Sequence, residues 1–214
     1  MKLFKPKTIW WPTWQGWALL SLILAGFFIV FFLNAHRFLA VTNRVAGADV
    51  LVVEDWMADV FVQAAAMEFK EGNYRLLLIS GISEFNDQDN RPQNVPKSSV
   101  VNRVVSLGIP RNRIIECFAP ATDSHRSAAR ARSASNALRQ NCIRSKGVNV
   151  LAPATHARKT WLVYRRALGT EVPVGIIAVV PGVYDPAWWW MNSQSAKWVI
   201  TNYAGLFHEW ITGL

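Results

Sequence analysis

Two cysteines, Cys117 and Cys142, are all that 214 residues contain, with no CxxC pair and no His/Cys ligand spacing, so the sequence shows no zinc module. Outside the cytoplasm the pair could form one disulfide. Against it, Cys117 is expected to close a strand and Cys142 the helix that follows, at opposite ends of a parallel sheet, whereas a bridge needs a short Cα separation. No GxGxxG follows the first apolar strand, and there is no GxxxxGK(S/T) and no GxSxG elbow. The usual support for dinucleotide, P-loop and α/β-hydrolase chemistry is therefore missing. Acidic side chains are also scarce. Fourteen Asp and Glu stand against 23 Lys and Arg, giving a net charge of +9 and a pI near 10.0. Such a balance fits nucleic acid, a membrane surface or an anionic small ligand. Nucleic acid is set aside, because no recognition motif accompanies the charge and the expected location opposes it.

Tryptophan, by contrast, is abundant: eleven occur, clustered at the two ends of the chain. Lys2, Lys5 and Lys7 precede Trp10, Trp11, Trp14 and Trp17, and Ala18 to Leu33 then runs without a charge. Counted from Ile9, the uncharged stretch reaches the ~20 residues that cross a bilayer. Its apolar core exceeds the ~7–15 residues of a signal peptide, and no A-x-A site follows before Arg37. We expect an uncleaved anchor: a basic, Trp-rich tail over 1–16 in the cytoplasm, a transmembrane helix over 17–35 and a linker over 36–48. The excess of lysines ahead of the helix places the main domain outside.

From 49 to 214 the chain alternates strand and helix. Val50 to Val53 reads as a strand buried on both faces, stopping in Glu54 and Asp55. Further strands are predicted over Tyr74–Ile79, Arg113–Cys117, Val148–Ala152 and Val174–Val180, with helices between them and an amphipathic tail helix from Ser193 to Trp210. The fold class is α/β, a Rossmann-like three-layer sandwich on a mainly parallel sheet, preceded by one transmembrane helix. Ile82 to Lys97 is read as a long polar loop.

In such sheets ligands bind outside the carboxyl ends of the strands. Polar residues gather there: Glu54 and Asp55, Ser80 and Gly81, Glu116, and Thr155 with His156. Thr155, His156, Arg158 and Lys159 open a helix, where free backbone N–H groups and the dipole favour an anion. Ser124 and Arg126 open another, and a second cationic entrance facing the first would bracket a phosphate. Arg130, Arg132 and Arg139 are read as a solvated basic face. His156, Glu54 and Glu116 are the candidate acid–base residues; Asp55, Ser80, Gly81, Ser124, Arg126, Thr155 and Arg158 are the candidate ligand-binding ones.

With these residues in view, the chain resembles the YdcF/SanA/ElyC-like family of bacterial proteins. The matching stretches are Val53 to Trp56, Arg75 to Gly81, Leu107 to Pro110 with Ile115-Glu116, Thr155 to Arg158, Val174 to Val179, Tyr184-Asp185 and Trp188-Trp189, spanning 49 to about 210. The resemblance implies a Rossmann-like domain behind an amino-terminal membrane helix in the bacterial inner membrane, and roles in the cell envelope. One cytoplasmic branch of the family is associated with S-adenosylmethionine. Here Glu54-Asp55-Trp56 and Ile82-Ser83 stand where many members carry glycines, leaving a backbone less room to approach a phosphate, and the sequence assigns no cofactor. The expected ligand is an anionic envelope metabolite or lipid-linked precursor. The alternative is a non-enzymatic scaffold that presents Trp188 to Trp190 and the tail helix to other proteins. The sequence leaves the oligomeric state open.

Overall fold

The computed structural model describes residues 11–83 and 99–212, which fall into two compact units, residues 1–35 and 36–214. The first unit carries most of helix α1 (Trp14–Leu39), 26 residues long. At ~1.5 Å per residue this is enough to cross a bilayer. Its composition agrees, since Leu22, Phe27, Phe28 and Ile29 are all largely exposed. The one polar residue late in the run, Asn34, donates its side-chain amide to Val30 O at 2.8 Å and so satisfies itself within the helix.

The second unit holds a five-stranded, all-parallel sheet in the order β3-β2-β1-β4-β5. Its strands are β1 (Val50–Glu54), β2 (Leu76–Ile82), β3 (Ile114–Ala119), β4 (Val148–Pro153) and β5 (Val174–Val179). The helices are α2 (Asp59–Glu71), α3 (Ser99–Ser106), α4 (Arg126–Gln140), α5 (Ala157–Leu168) and α6 (Ser193–Thr212). Every residue of β1 is buried, as a branched apolar run at the centre of a covered sheet requires. Its side chains alternate between two cores. Leu51 and Val53 join Phe61, Phe69, Val100 and Val104 on the α2–α3 side. Val50 and Val52 join Val163, Tyr164 and an alanine row on α4 (Ala128, Ala131, Ala134, Ala137) on the other. Alanines there let α4 lie close on β2 and β3. This is the predicted α/β class, with strands shifted by one to three residues at their ends. The shift matters at β2 and β3, which continue through Gly81 and through Phe118 instead of stopping at Ile79 and Cys117. The loop predicted over Ile82 to Lys97 lies, from residue 84, outside the described residues.

The segment read as a linker is docked. α1 extends to Leu39, where His36 and Leu39 are buried and His36 Nε2 shares a 2.8 Å hydrogen bond with the Tyr184 hydroxyl. Beyond it, Asn43 forms an antiparallel bridge with Ile176 on the edge strand β5, which closes part of an otherwise open edge. Asn149 of β4 anchors the next turn: its Oδ1 accepts from Val45 N at 2.9 Å, and its Nδ2 donates to Val45 O and to the Tyr74 hydroxyl. Asn149→Ala strands these buried groups, and we expect it to lower stability by about 2–3 kcal/mol, measured by denaturant unfolding of the detergent-solubilised chain. A loss under ~0.5 kcal/mol, the level of a surface change, would show that water replaces the amide.

Cys117 is buried and Cys142 exposed, both as free thiols.

Candidate functional site

The strand order reverses at β1: β2 and β3 lie to one side, β4 and β5 to the other. The crevice of an open parallel sheet lies at this switch point, outside the carboxyl ends of β1 and β4. Here those ends are Glu54-Asp55-Trp56 and Pro153 to His156. They open on a cavity of about 330 Å³, whose wall includes Trp56, Phe61, His156, Tyr184, Trp198 and Asn202. The lining is mostly apolar, four of its residues being Trp56, Phe61, Tyr184 and Trp198, and His156 is its imidazole.

His156 ends a 3-10 turn (Ala154–His156) that runs directly into α5. Its Nδ1 lies 2.7 Å from Asn202 Oδ1, and Asn202 Nδ2 in turn donates to Thr155 Oγ1 at 3.1 Å and to Trp198 O at 2.8 Å. A carbonyl oxygen can only accept, so the amide orientation is fixed. Asn202 therefore presents an acceptor to His156, Nδ1 carries the proton, and Nε2 keeps its lone pair. Burial, helped by the cations Lys159 and Arg130, pushes the imidazole down to about 4 and keeps it neutral at ordinary pH. The Trp56 ring meets it edge-on, with centroids 5.4 Å apart.

Glu54 behaves in the opposite sense. As the next even position after Val50 and Val52 on β1, its side chain turns toward the α4–α5 side of the sheet, where it is 1% exposed. Burial pushes its carboxyl above the ordinary range, against Arg130, the Trp56 indole and Lys159. Oε2 accepts from Trp56 Nε1, while Oε1 is buried without a partner among the described residues. Lys159 is lowered by burial, with Glu209 and Glu54 opposing. A carboxyl held toward its acid form and an imidazole held toward its base form, both in contact with Trp56, divide the roles of proton donor and acceptor.

Asp55 is ion-paired. Its Oδ1 accepts from Arg130 Nε at 3.1 Å and its Oδ2 from Ile82 N at 3.3 Å. Ser80 is wholly buried, donating to Arg130 O at 2.7 Å. Gly81 has a steric reason to be glycine: an added Cβ would strike the Phe118 ring and lie 2.5 Å from Asp55 Oδ2. Ser80 and Gly81 thus seat the Asp55–Arg130 pair, and Thr155 seats Asn202.

Four expected residues lie elsewhere. Glu116 is the third residue of β3, short of its carboxyl end, and pairs with Arg111; with Ser124 it lines a second crevice of about 640 Å³ along β3 and α4. Arg126 is exposed. Arg158 turns back to the docked segment, donating to Phe38 O with its guanidinium 4.0 Å above the Phe38 ring. The paired cationic clamp foreseen for Arg126 and Arg158 is therefore not assembled, because an Arg at the start of α5 finds a nearer carbonyl and ring. Arg130, read as part of a solvated face, is 5% exposed instead, whereas Arg132 and Arg139 are exposed as expected. One signal pointed to Arg130, its place among small buried residues of α4. Nothing in the sequence marked Asn202 as the partner of His156.

Neither a family model nor a curated protein matches this chain.

Proposed function

We propose that the chain is a membrane-anchored envelope protein of the YdcF/SanA/ElyC-like kind, and that its α/β domain binds a phosphorylated or otherwise anionic envelope metabolite, in particular a lipid-linked one, and hydrolyses or transfers part of it. The observation that carries this is the neutral His156, with Nδ1 held by Asn202 and Nε2 left as a base at the switch-point crevice. His156 takes the proton of an attacking water or hydroxyl, and the N-terminal end of α5 favours the anionic group of the ligand. Trp56, Phe61, Tyr184 and Trp198 supply apolar surface for the body of an amphipathic ligand. An amino-terminal helix able to cross a bilayer suits a protein whose ligand is carried in one. The bacterial inner membrane, with the domain outside the cytoplasm, is the location this reading requires.

The test is turnover of a polyprenyl pyrophosphate by the full chain in detergent, with intrinsic tryptophan fluorescence reporting binding. His156→Ala is expected to cut turnover by about 100-fold or more while binding persists, the usual scale for a positioned base. Equal product from wild type and His156→Ala rejects the base assignment, and no fluorescence change with the probe rejects the ligand class.

A second reading, a non-enzymatic interaction protein, is favoured by one observation. On α6, Phe207, Trp210 and Ile211 are each more than 60% exposed, and Phe207 and Trp210 border a groove lined also by Phe38, Trp161 and Leu206. Trp188 is exposed too, whereas Trp189 is buried in the fold and offers no surface.

A further inference from the structure

His125, His208 and Glu209 converge although they are far apart in the chain. His125 precedes α4, with a left-handed backbone (φ 49°, ψ 38°) that turns the loop after β3 into the helix. His208 and Glu209 lie near the end of α6. One ligand-capable atom from each lies within 4.8 Å of the others. The two imidazoles stack with centroids 5.5 Å apart and planes 27° from parallel.

Two of these groups carry a buried polar atom that no described residue hydrogen-bonds. Glu209 is 4% exposed, and its Oε2 is buried; His125 Nδ1 is buried as well. Among the described residues neither atom has a hydrogen-bond partner. A dry carboxylate oxygen and a dry imidazole nitrogen side by side are unfavourable, unless something that accepts both lone pairs sits between them. A cation does this for all three side chains at once.

We propose that His125, His208 and Glu209 bind a divalent transition metal of the zinc class. Two imidazoles and one carboxylate form a donor set that suits zinc and its neighbours, whereas magnesium and calcium prefer oxygen alone. Three protein ligands leave a fourth position for water or a ligand atom, the pattern of catalytic zinc centres. Bonds of ~2.0–2.2 Å would draw the donor atoms closer than they stand, and the exposed His208 is the ligand with room to move. Lys159 is attracted to Glu209, and Arg166 donates to the Glu209 backbone carbonyl at 2.7 Å. The site is independent of the acid–base reading of the crevice, since His156 is not among its ligands.

The full chain, purified in detergent and stripped with a chelator, is titrated with Zn²⁺ by calorimetry, with Mg²⁺ as comparison. One Zn²⁺ per chain and no comparable Mg²⁺ binding are expected. His208→Ala, which removes an exposed side chain, and His125→Ala should each weaken Zn²⁺ binding by more than about tenfold, the lower range of loss even for an outer-shell partner. His156→Ala should leave Zn²⁺ binding unchanged. With Co²⁺ in place of Zn²⁺, the visible bands of the bound ion should vanish in His125→Ala. Failure to bind one Zn²⁺ per chain, equal affinity for Mg²⁺, or Zn²⁺ binding that survives both His125→Ala and His208→Ala would overturn the site.

Discussion

Arg130→Ala is expected to lower the unfolding free energy by about 3–5 kcal/mol, the range for removing one partner of a buried ion pair. This is a large fraction of the ~5–15 kcal/mol that holds a typical domain folded. The guanidinium is nearly inaccessible, and its Nε reaches Asp55 Oδ1 at 3.1 Å. It is also the cation that most opposes the burial of Glu54. Without it Asp55 keeps only the Ile82 amide among its described side-chain partners, and Glu54 keeps Trp56 and a desolvated Lys159. Arg130→Met with Asp55→Asn removes both charges of the pair and should recover much of the loss. The difference between the double variant and the two singles measures the coupling. Urea unfolding of the four proteins decides the matter: a loss below ~1 kcal/mol for Arg130→Ala would mean that the pair is solvated and worth no more than a surface bridge.

The second large effect is a loss of stability on acidification that belongs to His156. In the unfolded chain its imidazole titrates near 6.5, and in the folded domain near 4. Between those values the unfolded state holds a proton that the folded state lacks, so stability rises with pH across this window. The contribution is complete above pH 6.5 and is lost as the pH falls through 4, amounting to roughly 3 kcal/mol. Glu54 acts with the reverse sign. Its folded-state carboxyl is raised, so it favours the fold below its ordinary value and loses that contribution as the pH climbs through the raised one. Comparing wild type with His156→Gln isolates the histidine. The urea midpoint of the wild type should fall between pH 6.5 and 4, and that of His156→Gln should fall distinctly less. Parallel profiles would show that His156 is as well solvated folded as unfolded. If His156 is the base, the activity of the wild type should also hold steady from neutral pH down to about 5.

Much of this molecule was legible in one dimension because the signals are local. An uncharged run of helix-forming length becomes α1 whatever follows it, and Val50 to Val53 forms a central strand because four branched apolar residues in a row have no solvated face. Alternating strands and helices of these lengths leave few topologies beyond a parallel sheet. The polar strand ends could likewise be read in advance: Thr155 and His156 line one crevice, and Glu54 lies buried behind Trp56, to which it is hydrogen-bonded.

What the linear sequence could not rank was which polar residues would be buried together, because that depends on strand order and on helix rotation. The reversal at β1 brings the ends of β1 and β4 together and leaves Glu116 on the edge strand with Arg111. The rotation of α4 carries Arg130 inward to Asp55 and leaves Arg132 and Arg139 in water. The packing of α6 against the end of β4 supplies Asn202, which sets the tautomer of His156, and it brings His208 and Glu209 to His125. Sequence alone determined a membrane-length helix followed by a covered parallel sheet, since burial period and length are properties of neighbours along the chain. Tertiary structure alone decided where the protons sit, since desolvation and hydrogen-bond partners come from residues that only folding makes neighbours.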